Sequence, residues 1–571
     1  MKRWNIRPTD PILQIKLSKD LGISNILSQL LINRNIDTAR HAKMFLDGES
    51  LELYDPYLMK GMKEAVSRIK AAIDKKEKIL IHGDYDVDGV TSITLLMFTL
   101  RNLGLDPIYY IPHRMTEGYG LSDGGVLEAI KEKVGLVITV DCGITSIEEV
   151  KMLNSHNIDV IITDHHEVGK ELPKACAIIN PHQKTCMYPD KDLSGVSVVF
   201  KLCDAINSVY HVRENWKHLD LVALGTISDV APLVGENRIL VKEGLKILKS
   251  GTTNTGLKAL IETSGIKKNS VDSYKVAFIL GPRINAAGRV GKADNAVELL
   301  ITDNEKRALF LAKELNEANR ERQRIGNATL KEALTKVDRE VNFKEHKIIV
   351  LDSEDWHTGV IGIVASRISD RFYRPCIMIS RSEGLGKGSG RSIEGFHLFD
   401  ALTDCKDVLK EYGGHKYACG LTILEENLAS FRETINEIAK RSLNVEDLVP
   451  SIDIEMEIEL DLIDNNVVDE LERLEPFGEG NPRPIFCSKN ISLASSPRII
   501  KGDHIKFRVK DKEKDLEAIG FGLVKDTDIE DILAKNRLFD LCYTISFNEW
   551  QGFKNIQLTI EDIRPSGSFQ P

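Results

Sequence analysis

The stretch that decides the fold class runs Ile79-Leu80-Ile81-His82-Gly83-Asp84-Tyr85-Asp86-Val87-Asp88-Gly89. A short apolar run ends here in three carboxylates within five residues. Because neighbouring carboxylates repel one another, an ordered arrangement requires protons or cations to offset their charge. A metal site at the carboxyl end of a strand is the economical explanation.

The D-x-D-x-D-G spacing also matches the start of an EF-hand loop. That loop needs a bidentate Glu at its twelfth position, and the twelfth residue counted from Asp84 is Leu95. The preceding segment is also strand-like. A calcium-binding EF-hand is therefore rejected.

Similar β-branched runs follow along the chain and alternate with helical segments. They are found at 106–112, 135–141, 160–166 and 177–182. Alternation of this kind predicts an α/β domain with a mostly parallel sheet and helices on both faces.

Further candidate ligands follow these apolar runs. Asp141 ends LVITVD, the triplet Asp164-His165-His166 ends VIITDHH, and Asp229 follows LVALGTIS, which we interpret as another strand. A lone Asp at a strand end is more often a helix N-cap, and one of two adjacent histidines is more often structural. Strand ends of a parallel sheet converge on one crevice, however, so the set together predicts a metal centre.

The ligand types indicate which metal would bind. Two divalent cations roughly 3.5 to 4 Å apart need several carboxylates and a few imidazoles. Mixed Asp and His ligation favours manganese, with magnesium as the alternative, over iron or zinc. The expected cofactors are therefore two divalent cations.

Composition predicts several domains rather than one. The chain has 571 residues, of which 42% are hydrophobic and 28% charged. The patterns divide it into a helical lead-in at 1–75, the α/β domain at 76–304, a long connecting helix at 305–340, a second α/β domain at 341–445 and a small β-barrel at 446–571.

Net charge and cysteine usage exclude some functions. A net charge of −10 disfavours a protein that coats duplex DNA by counterion release. The nine scattered cysteines predict a reduced chain without disulfides. The chain shows neither a signal peptide nor an apolar run of membrane-spanning length, so we expect a soluble, cytoplasmic protein without a membrane partner.

The stretch GLGKGSGRS at 384–392 is a candidate phosphate site. It lacks the P-loop pattern, but its glycines could turn backbone N–H groups inward, and Arg391 could add a bidentate guanidinium. An ordinary glycine turn is the alternative. Residues 367–391 also carry a surplus of four positive charges, which predicts a local positive path on an acidic body.

At these residues the sequence resembles the DHH phosphoesterase superfamily and, within it, the bacterial single-stranded-DNA-specific 5′-to-3′ exonucleases. The resemblance runs from about residue 25 to 565 and rests on HGDYDVDG (82–89), PHRMTEGYGL (112–121), VDCGIT (140–145), DHH (164–166), GTISDVAPL (225–233), GPRINAAGR (281–289), NEANRERQ (316–323), GSGRS (388–392), GGH (413–415), EPFGEGNPRP (475–484) and NEWQG (548–552). It implies a DHH catalytic domain at 76–304, a DHH-associated domain at 341–445 and a nucleic-acid-binding OB-fold at 446–571.

The resemblance also implies site residues. The metal shell would be His82, Asp84, Asp86, Asp88, Asp141, His165 and Asp229. Catalytic roles would fall to Asp84, His166 and His415, although His415 could instead be a packed histidine. The 5′-phosphate and DNA would contact Arg114, Arg283, Arg289, Ser389, Arg391, Trp550 and Phe553.

The function implied by the resemblance is degradation of single-stranded DNA from its 5′ end to 5′-mononucleotides by two-metal hydrolysis, in recombination and repair. A helicase and a single-strand-binding protein are the expected partners of a monomer. One alternative is a DHH phosphoesterase for nano-RNA or cyclic dinucleotides, and those relatives generally lack the barrel. The other is a non-catalytic single-strand-binding scaffold, which would have lost acidic motif positions that are present here.

Overall fold

The computed structural model describes residues 2–47, 53–114, 116–212, 215–251, 253–526, 529–550 and 552–567. The chain forms two compact units. The larger unit comprises 52–444 and 478–480, and the smaller comprises 1–51, 445–477 and 481–571. No helix within the described residues is long and apolar enough to cross a membrane.

The chain begins in the smaller unit with a strand and three helices. They are β1 (Arg3–Ile6), α1 (Pro11–Leu21), α2 (Asn25–Ile32) and α3 (Ala39–Asp47). The next helix, α4 (Met62–Lys75), belongs to the larger unit. The interval 1–75, predicted as one helical lead-in, is therefore divided between the units and contains a strand.

The first half of the larger unit is a layered α/β domain. Its strands are β2 (Ile79–Gly83), β3 (Ile108–Tyr110), β4 (Leu136–Val140), β5 (Asp159–Thr163) and β6 (Ala177–Ile179). They form a parallel sheet in the order β3-β2-β4-β5-β6. The predicted parallel sheet is confirmed, and every residue of the central strands β2 and β4 is buried because helices cover both faces.

The helices of this half surround the sheet and lead into the second half. They are α5 (Val87–Asn102), α6 (Asp123–Lys131), α7 (Ile147–Ser155), α8 (Gly195–Val209), α9 (Leu219–Ser228), α10 (Gly235–Ser250), α11 (Thr255–Thr263), α12 (Ser273–Lys275), α13 (Gly281–Val290) and α14 (Asp294–Ile301). The run LVALGTIS lies in α9, so the prediction that Asp229 follows a strand is wrong. A short, wholly buried apolar run has no period that separates helix from strand.

One long helix, α15 (Glu305–Glu340), connects the two halves of the larger unit. Asn304 caps its first turn by accepting a hydrogen bond from the Arg307 N–H. Its first half contributes Leu311 and Leu315 to the core of the first half of the unit, and its second half contributes Val337 to the core of the next. The helix therefore fixes both halves through packing.

The second half of the larger unit contains a mixed sheet. Its elements are β7 (Ile349–Ser353), α16 (Thr358–Phe372), β8 (Cys376–Ser382), β9 (Leu385–Arg391), α17 (Leu398–Asp404), β10 (Glu411–Gly414), β11 (Ala418–Leu424) and α18 (Leu428–Ser442). The sheet order is β10-β11-β9-β8-β7, with only β7 and β8 parallel.

The glycine-rich stretch is a central strand rather than a turn. β9 pairs with β8 on one side and β11 on the other, so its backbone N–H groups serve the sheet. A Cβ on Gly388 would lie 2.8 Å from Leu421 Cδ1, and one on Gly390 would lie 2.6 Å from Cys419 Sγ. Alternate glycines thus make room for the core on one face, and Ser389 and Arg391 lie on the other.

The rest of the smaller unit is a closed barrel. Its elements are β12 (Ser451–Ile454), β13 (Met456–Glu457), α19 (Asn465–Glu472), β14 (Phe486–Ile500), β15 (His504–Asp511), β16 (Lys514–Gly520), α20 (Leu523–Asp526), α21 (Ile529–Lys535), β17 (Phe539–Trp550) and β18 (Phe553–Pro565). The ring β14-β15-β16-β18-β17 closes through pairing of β17 with β14, and β1 pairs with β12. The predicted barrel is confirmed.

Candidate metal centre and phosphate-binding cleft

Three neighbouring strands deliver the acidic residues to one edge of the parallel sheet. The final residues of β2, β4 and β5 are in register, with Gly83 beside Val140 and Val140 beside Thr163. The next residue of each strand is an aspartate, namely Asp84, Asp141 and Asp164. Parallel register therefore brings together carboxylates that are up to 80 residues apart in sequence.

The other two acids of the opening motif are held by helix starts. Asp86 is the N-cap of α5, where its Oδ1 accepts hydrogen bonds from the N–H groups of Asp88 (2.9 Å) and Gly89 (3.1 Å). Asp88 is buried, and its two oxygens accept from the first N–H groups of α8, at Gly195 (2.7 Å) and Val196 (2.8 Å). Two helix N-termini thus orient both carboxylates.

His165 lies at the centre of the carboxylates. Its Nε2 is 3.2 Å from Asp141 Oδ1, 3.7 Å from Asp229 Oδ2 and 3.9 Å from Asp88 Oδ2. Three groups of candidate ligand atoms each fall within 4.8 Å, made of Asp141, His165 and His166, of Asp88, His165 and Asp229, and of Asp84, Asp86 and Asp141. We call these seven residues the acidic cluster.

Several atoms of the acidic cluster are buried and make no hydrogen bond within the described residues. They are Asp84 Oδ1, Asp141 Oδ1 and His165 Nε2. A buried polar atom without a hydrogen-bond partner lowers the stability of the fold, so these three atoms indicate that a ligand binds here. Carboxylate oxygens together with imidazole nitrogens fit divalent cations such as Mn²⁺, and the oxygens fit Mg²⁺.

The electrostatics agree with this arrangement. Burial and the nearby Asp86 raise the pKa of Asp88 to about 7, and burial and Asp88 raise the pKa of Asp141 and of Asp229 well above the ordinary value. Burial lowers the pKa of His165 to about 4, so its ring is neutral and able to coordinate a cation. Among the described residues no lysine or arginine forms an ion pair with these carboxylates, whose neighbour is the neutral His165.

The third aspartate, Asp164, orients the two histidines instead of joining a ligand group. Its Oδ1 accepts from the backbone N–H groups of His165 (2.8 Å) and His166 (3.1 Å), and lies 2.7 Å from His166 Nδ1. Its Oδ2 accepts from the Ile144 N–H at 3.0 Å. Tyr119, which the sequence analysis missed, places its hydroxyl 2.9 Å from the same His166 nitrogen. These contacts fix the ring of His166 at the edge of the cluster.

The structure does not bring His82, a predicted metal ligand, into any of these groups. Its Nε2 accepts from the Ser122 N–H at 3.4 Å, and its Nδ1 lies 3.7 Å from Cys142 Sγ. The ring stacks on Tyr110, and a Cβ on Gly125 would lie 2.4 Å from it. The side chain of His82 is enclosed beside α6, because alternate residues of β2 face opposite sides of the sheet.

A cluster of arginines lies next to the acids and has no carboxylate of its own. Arg114, Arg289 and Arg391 were predicted at this site, and Arg322 on α15 joins them. Burial and then these three neighbours lower the pKa of Arg289 to about 9. Within the described part of the chain none of these four residues, the arginine cluster, forms an ion pair with an acid. Such a site is suited to phosphate.

Part of the arginine cluster surrounds the start of α16. Arg289 donates from Nη1 to the Gly359 carbonyl at 3.1 Å, and Arg391 donates to the Gly390 carbonyl at 2.7 Å and to Ser389 Oγ at 3.3 Å. A Cβ on Gly362 would lie 2.8 Å from Ser389 Oγ, so the first turn of α16 is close to this pair. The start of α16 therefore lies beside the arginine cluster, and the His357 side chain caps it by accepting from the Gly359 N–H at 3.0 Å.

Tyr85 connects the two clusters. It lies between Asp84 and Asp86 in the opening motif, and the guanidinium of Arg114 lies 4.8 Å from the centre of its ring. Its carbonyl oxygen is 3.0 Å from where a Cβ on Gly288 would be, next to Arg289 on α13. An anion bound by the arginine cluster would therefore lie close to the acidic cluster.

The remaining predicted residues are more dispersed. Arg283 donates to Asn316 Oδ1 and to the Ile279 carbonyl, outside the arginine cluster. His415 is exposed, and the partial enclosure of its ring together with the nearby Arg391 lowers its pKa. Phe553 is 72% exposed on the barrel, whereas the side chain of Trp550 lies outside the described residues.

The local charge count at 367–391 overstated the positive path. Arg381 forms ion pairs with Asp352, Glu354 and Glu425, which lie outside that window in sequence. Of the four members of the arginine cluster, Arg391 comes from that window and the other three lie outside it in sequence. All nine cysteines are free, which confirms the prediction of no disulfides.

Comparisons with known proteins agree with this geometry. Family models match three parts of the chain, described as DHH family, N-terminal domain (78–226), DHHA1 domain (345–441) and RecJ OB domain (454–562). The single-stranded-DNA-specific exonuclease RecJ of Bacillus subtilis (strain 168) is 40% identical over 564 residues, which cover 98% of this chain and 70% of that protein.

Solved structures are similar over the whole chain. The crystal structure of RecJ from Thermus thermophilus in complex with Mn²⁺ has a TM-score of 0.86 and 32% sequence identity, and covers 100% of this chain and 80% of that one. The structure of the same protein in complex with Mg²⁺ has a TM-score of 0.80 and 29% identity, with 100% and 79% covered.

Proposed function

The chain belongs to the RecJ family of single-stranded-DNA-specific exonucleases, and from this premise we propose that it hydrolyses single-stranded DNA from the 5′ end with two divalent cations, Mn²⁺ or Mg²⁺. It is a hydrolase of the DHH superfamily. The products would be 5′-mononucleotides. The reaction would serve DNA recombination and repair.

The observation that carries the proposal is the contact between the two clusters at Tyr85. A terminal 5′-phosphate is a compact dianion, which the arginine cluster suits. With that phosphate fixed, the next phosphodiester along the strand would be presented to the acidic cluster. A fixed spacing between anchor and scissile bond supports both the polarity and the release of one nucleotide at a time.

The acidic cluster would hold the cations through Asp84, Asp86, Asp88, Asp141, His165 and Asp229. When bound, divalent cations supply Lewis-acid charge that offsets negative charge on the phosphate and lower the pKa of the attacking water. Asp88 stays fixed throughout, because two backbone N–H groups of α8 hold its oxygens.

The remaining side chains would orient groups and handle protons. Asp164 holds His166 through Nδ1, which fixes the ring for a contact with substrate or water. Asp84 Oδ1 has no hydrogen-bond partner within the described residues, so it is available as a ligand or as a proton acceptor. His415, whose pKa burial and Arg391 lower, would donate a hydrogen bond to the scissile phosphate from its neutral ring.

The setting of the reaction follows from the substrate. A helicase and a single-strand-binding protein would supply and protect single strands in the cytoplasm, and the chain would act as a monomer. The exposed Phe553 on the barrel would offer a stacking surface for bases. The alternative of a dinucleotide phosphoesterase is less well supported, because the chain carries an OB domain, an architecture that binds oligonucleotides.

The test uses oligonucleotides labelled at either end, with the purified protein and Mn²⁺. We expect labelled mononucleotide to appear first from a 5′-labelled single strand, while a 3′ label is released only late. Early release from the 3′ end would refute the polarity. Preference for a dinucleotide over the oligonucleotide, or no hydrolysis at all, would refute the substrate class.

A further inference from the structure

Helix α15 carries three side-chain pairs with one spacing and two different acceptors. In each pair an arginine donates to a residue three positions earlier: Arg320 to Glu317, Arg322 to Asn319 and Arg324 to Glu321. The acceptor is a carboxylate in the two exposed pairs, at 2.7 Å, and an amide oxygen in the middle pair, at 2.9 and 3.2 Å. The geometry is shared, but of these three arginines only Arg322 has a neutral partner, so its positive charge is not offset within the pair.

Two further arginines from neighbouring helices meet amides of α15 in the same way. Arg283 of α13 donates from Nε to Asn316 Oδ1 at 3.1 Å, and Arg367 of α16 donates from Nη1 to Asn327 Oδ1 at 3.0 Å. We call Arg283, Arg322 and Arg367 the amide-held arginines. Within the described ranges none of them forms an ion pair with a carboxylate.

The choice of acceptor has a physical consequence. A carboxylate would hold a guanidinium more strongly than an amide, because charge-assisted hydrogen bonds are about twice as strong as neutral ones. It would also cancel the positive charge. An amide fixes the direction of the guanidinium and leaves its charge, and its free N–H donors, for another anion.

Through Arg322 and Arg367 the amide-held arginines continue the arginine cluster, and Arg283 meets the same helix about one turn earlier, at Asn316. Arg322 belongs to both sets, and burial and the nearby Arg367 lower its pKa. Burial likewise lowers the pKa of Arg283, with Arg320 as the neighbouring charge. Cations gathered in this way repel one another unless anions lie among them, and a nucleic acid strand supplies one phosphate per nucleotide.

We propose that three asparagines of α15, Asn316, Asn319 and Asn327, are positioning residues that hold the amide-held arginines, without neutralising them, for internal phosphates of the single strand. The proposal rests on the function proposed above and extends it from the terminal phosphate to the strand behind it. Arg322, which belongs to both sets, would serve the first internal phosphate beside the terminal one. It makes the connecting helix part of the DNA path as well as a link between the two halves of the unit.

The test replaces the amide acceptor of an asparagine with the carboxylate of an aspartate, which has nearly the same shape. In Asn319→Asp the oxygen that Arg322 contacts is retained and the guanidinium is neutralised. Asn327→Asp does the same at an exposed position, where folding is not at risk. The measurement is steady-state hydrolysis of a 5′-phosphorylated oligonucleotide with Mn²⁺ over a series of monovalent salt concentrations.

For each variant we expect KM to rise about fivefold at 0.1 M salt, and the slope of log KM against log salt to fall by about 0.7, which is the value for one phosphate contact of a single strand. We expect kcat to stay within about twofold, because the reacting groups are untouched. Thermal melting checks the fold of both variants.

Two control variants separate the local effect from a change in net charge. Asn154→Asp adds the same charge on α7, where the exposed side chain donates a hydrogen bond to the Lys174 carbonyl and, among the described residues, to no arginine. Arg324→Ala removes an arginine of α15 that Glu321 already neutralises. Neither should change the slope.

The outcomes distinguish the two proposals. A wild-type protein that hydrolyses no single strand refutes the proposed function. A wild-type protein that is active, with Asn319→Asp and Asn327→Asp showing the same KM and salt slope as wild type, refutes the role of the asparagines. A fall in kcat with unchanged KM would refute it as well, because it would place Arg322 in the chemical step.

Discussion

The acidic cluster and the arginine cluster meet at Tyr85 but do not neutralise each other. Asp84, Asp141 and His165 leave buried atoms without hydrogen bonds, and Arg289 is surrounded by other arginines. Elsewhere in the same unit the chain pairs its charges closely, as in the buried ion pair of Lys201 with Glu236 at 2.9 Å. We therefore expect ligands to offset the charge of the two clusters. Cations would bind to the acidic cluster and phosphates to the arginine cluster.

This comparison also explains the overall charge. The net charge of −10 counts carboxylates that bound cations would offset, so it says little about the surface that a DNA strand meets. The local placement of charge decides which polymer can bind.

The largest effect is expected from breaking the acidic cluster. Asp141→Asn should reduce hydrolysis of single-stranded DNA on the order of 10³-fold or more, because cation contacts supply several kcal/mol of transition-state stabilisation. In the cation-free protein the same change should not lower Tm, since burial and Asp88 raise the pKa of Asp141 and so disfavour the charged form that the change removes. Activity assays and thermal melting measure both. Retained activity would contradict the assignment.

Breaking the arginine cluster should have a smaller effect and act on binding. Arg289→Gln should weaken binding of a 5′-phosphorylated single strand by about 10- to 100-fold, the value of one charge-assisted contact to phosphate. Fluorescence anisotropy in Ca²⁺, without turnover, measures this. Unchanged affinity together with lost activity would instead give Arg289 a role in the chemical step.

Completing the acidic cluster should stabilise the protein. Addition of Mn²⁺ to a hundredfold excess over its Kd should add about 2.7 kcal/mol to the free energy of unfolding for each bound cation and raise Tm by a few degrees. Asp141→Asn serves as the control, and its shift should be much smaller. An equal shift in both proteins would place the bound cations elsewhere.

The smallest effect is expected outside both clusters. Arg307→Ala breaks the exposed ion pair of Arg307 with Glu298, and exposed pairs contribute about 0 to 1 kcal/mol. Activity and DNA affinity should stay at the wild-type level. A marked loss of activity or DNA affinity would show that any arginine on α15 contributes to DNA binding. Pairing with a carboxylate would then not distinguish the arginines that bind DNA from those that do not.

Much of the fold and of the acidic cluster could be predicted from sequence because both follow from local patterns. Apolar β-branched runs identified the strands of the parallel sheet, and their ends identified Asp84, Asp141 and the DHH triplet. Asp229 was found for the wrong reason, since its buried helix has the same apolar composition as a strand.

The arginine cluster was harder to predict because it depends on tertiary contacts. The glycines of β9 suggested a turn. In the structure these positions require glycine because Leu421 and Cys419 occupy the space that a side chain would need. Arg322 could not be distinguished by sequence from the other charged residues of α15. The signal that could have revealed it is the alternation of Glu and Asn three residues before each arginine, at 317, 319 and 321.

The most direct test of the central claim, that the arginine cluster anchors a terminal phosphate beside the acidic cluster, compares cleavage of two oligonucleotides by two proteins. The oligonucleotides differ only in a 5′-phosphate or a 5′-hydroxyl, and the proteins are wild type and Arg391→Ala. Single-turnover rates at subsaturating protein with Mn²⁺ should favour the 5′-phosphate in wild type, and Arg391→Ala should abolish most of that preference while cutting the 5′-hydroxyl strand almost as fast as wild type. Equal loss on both oligonucleotides, with the preference unchanged, would contradict the account.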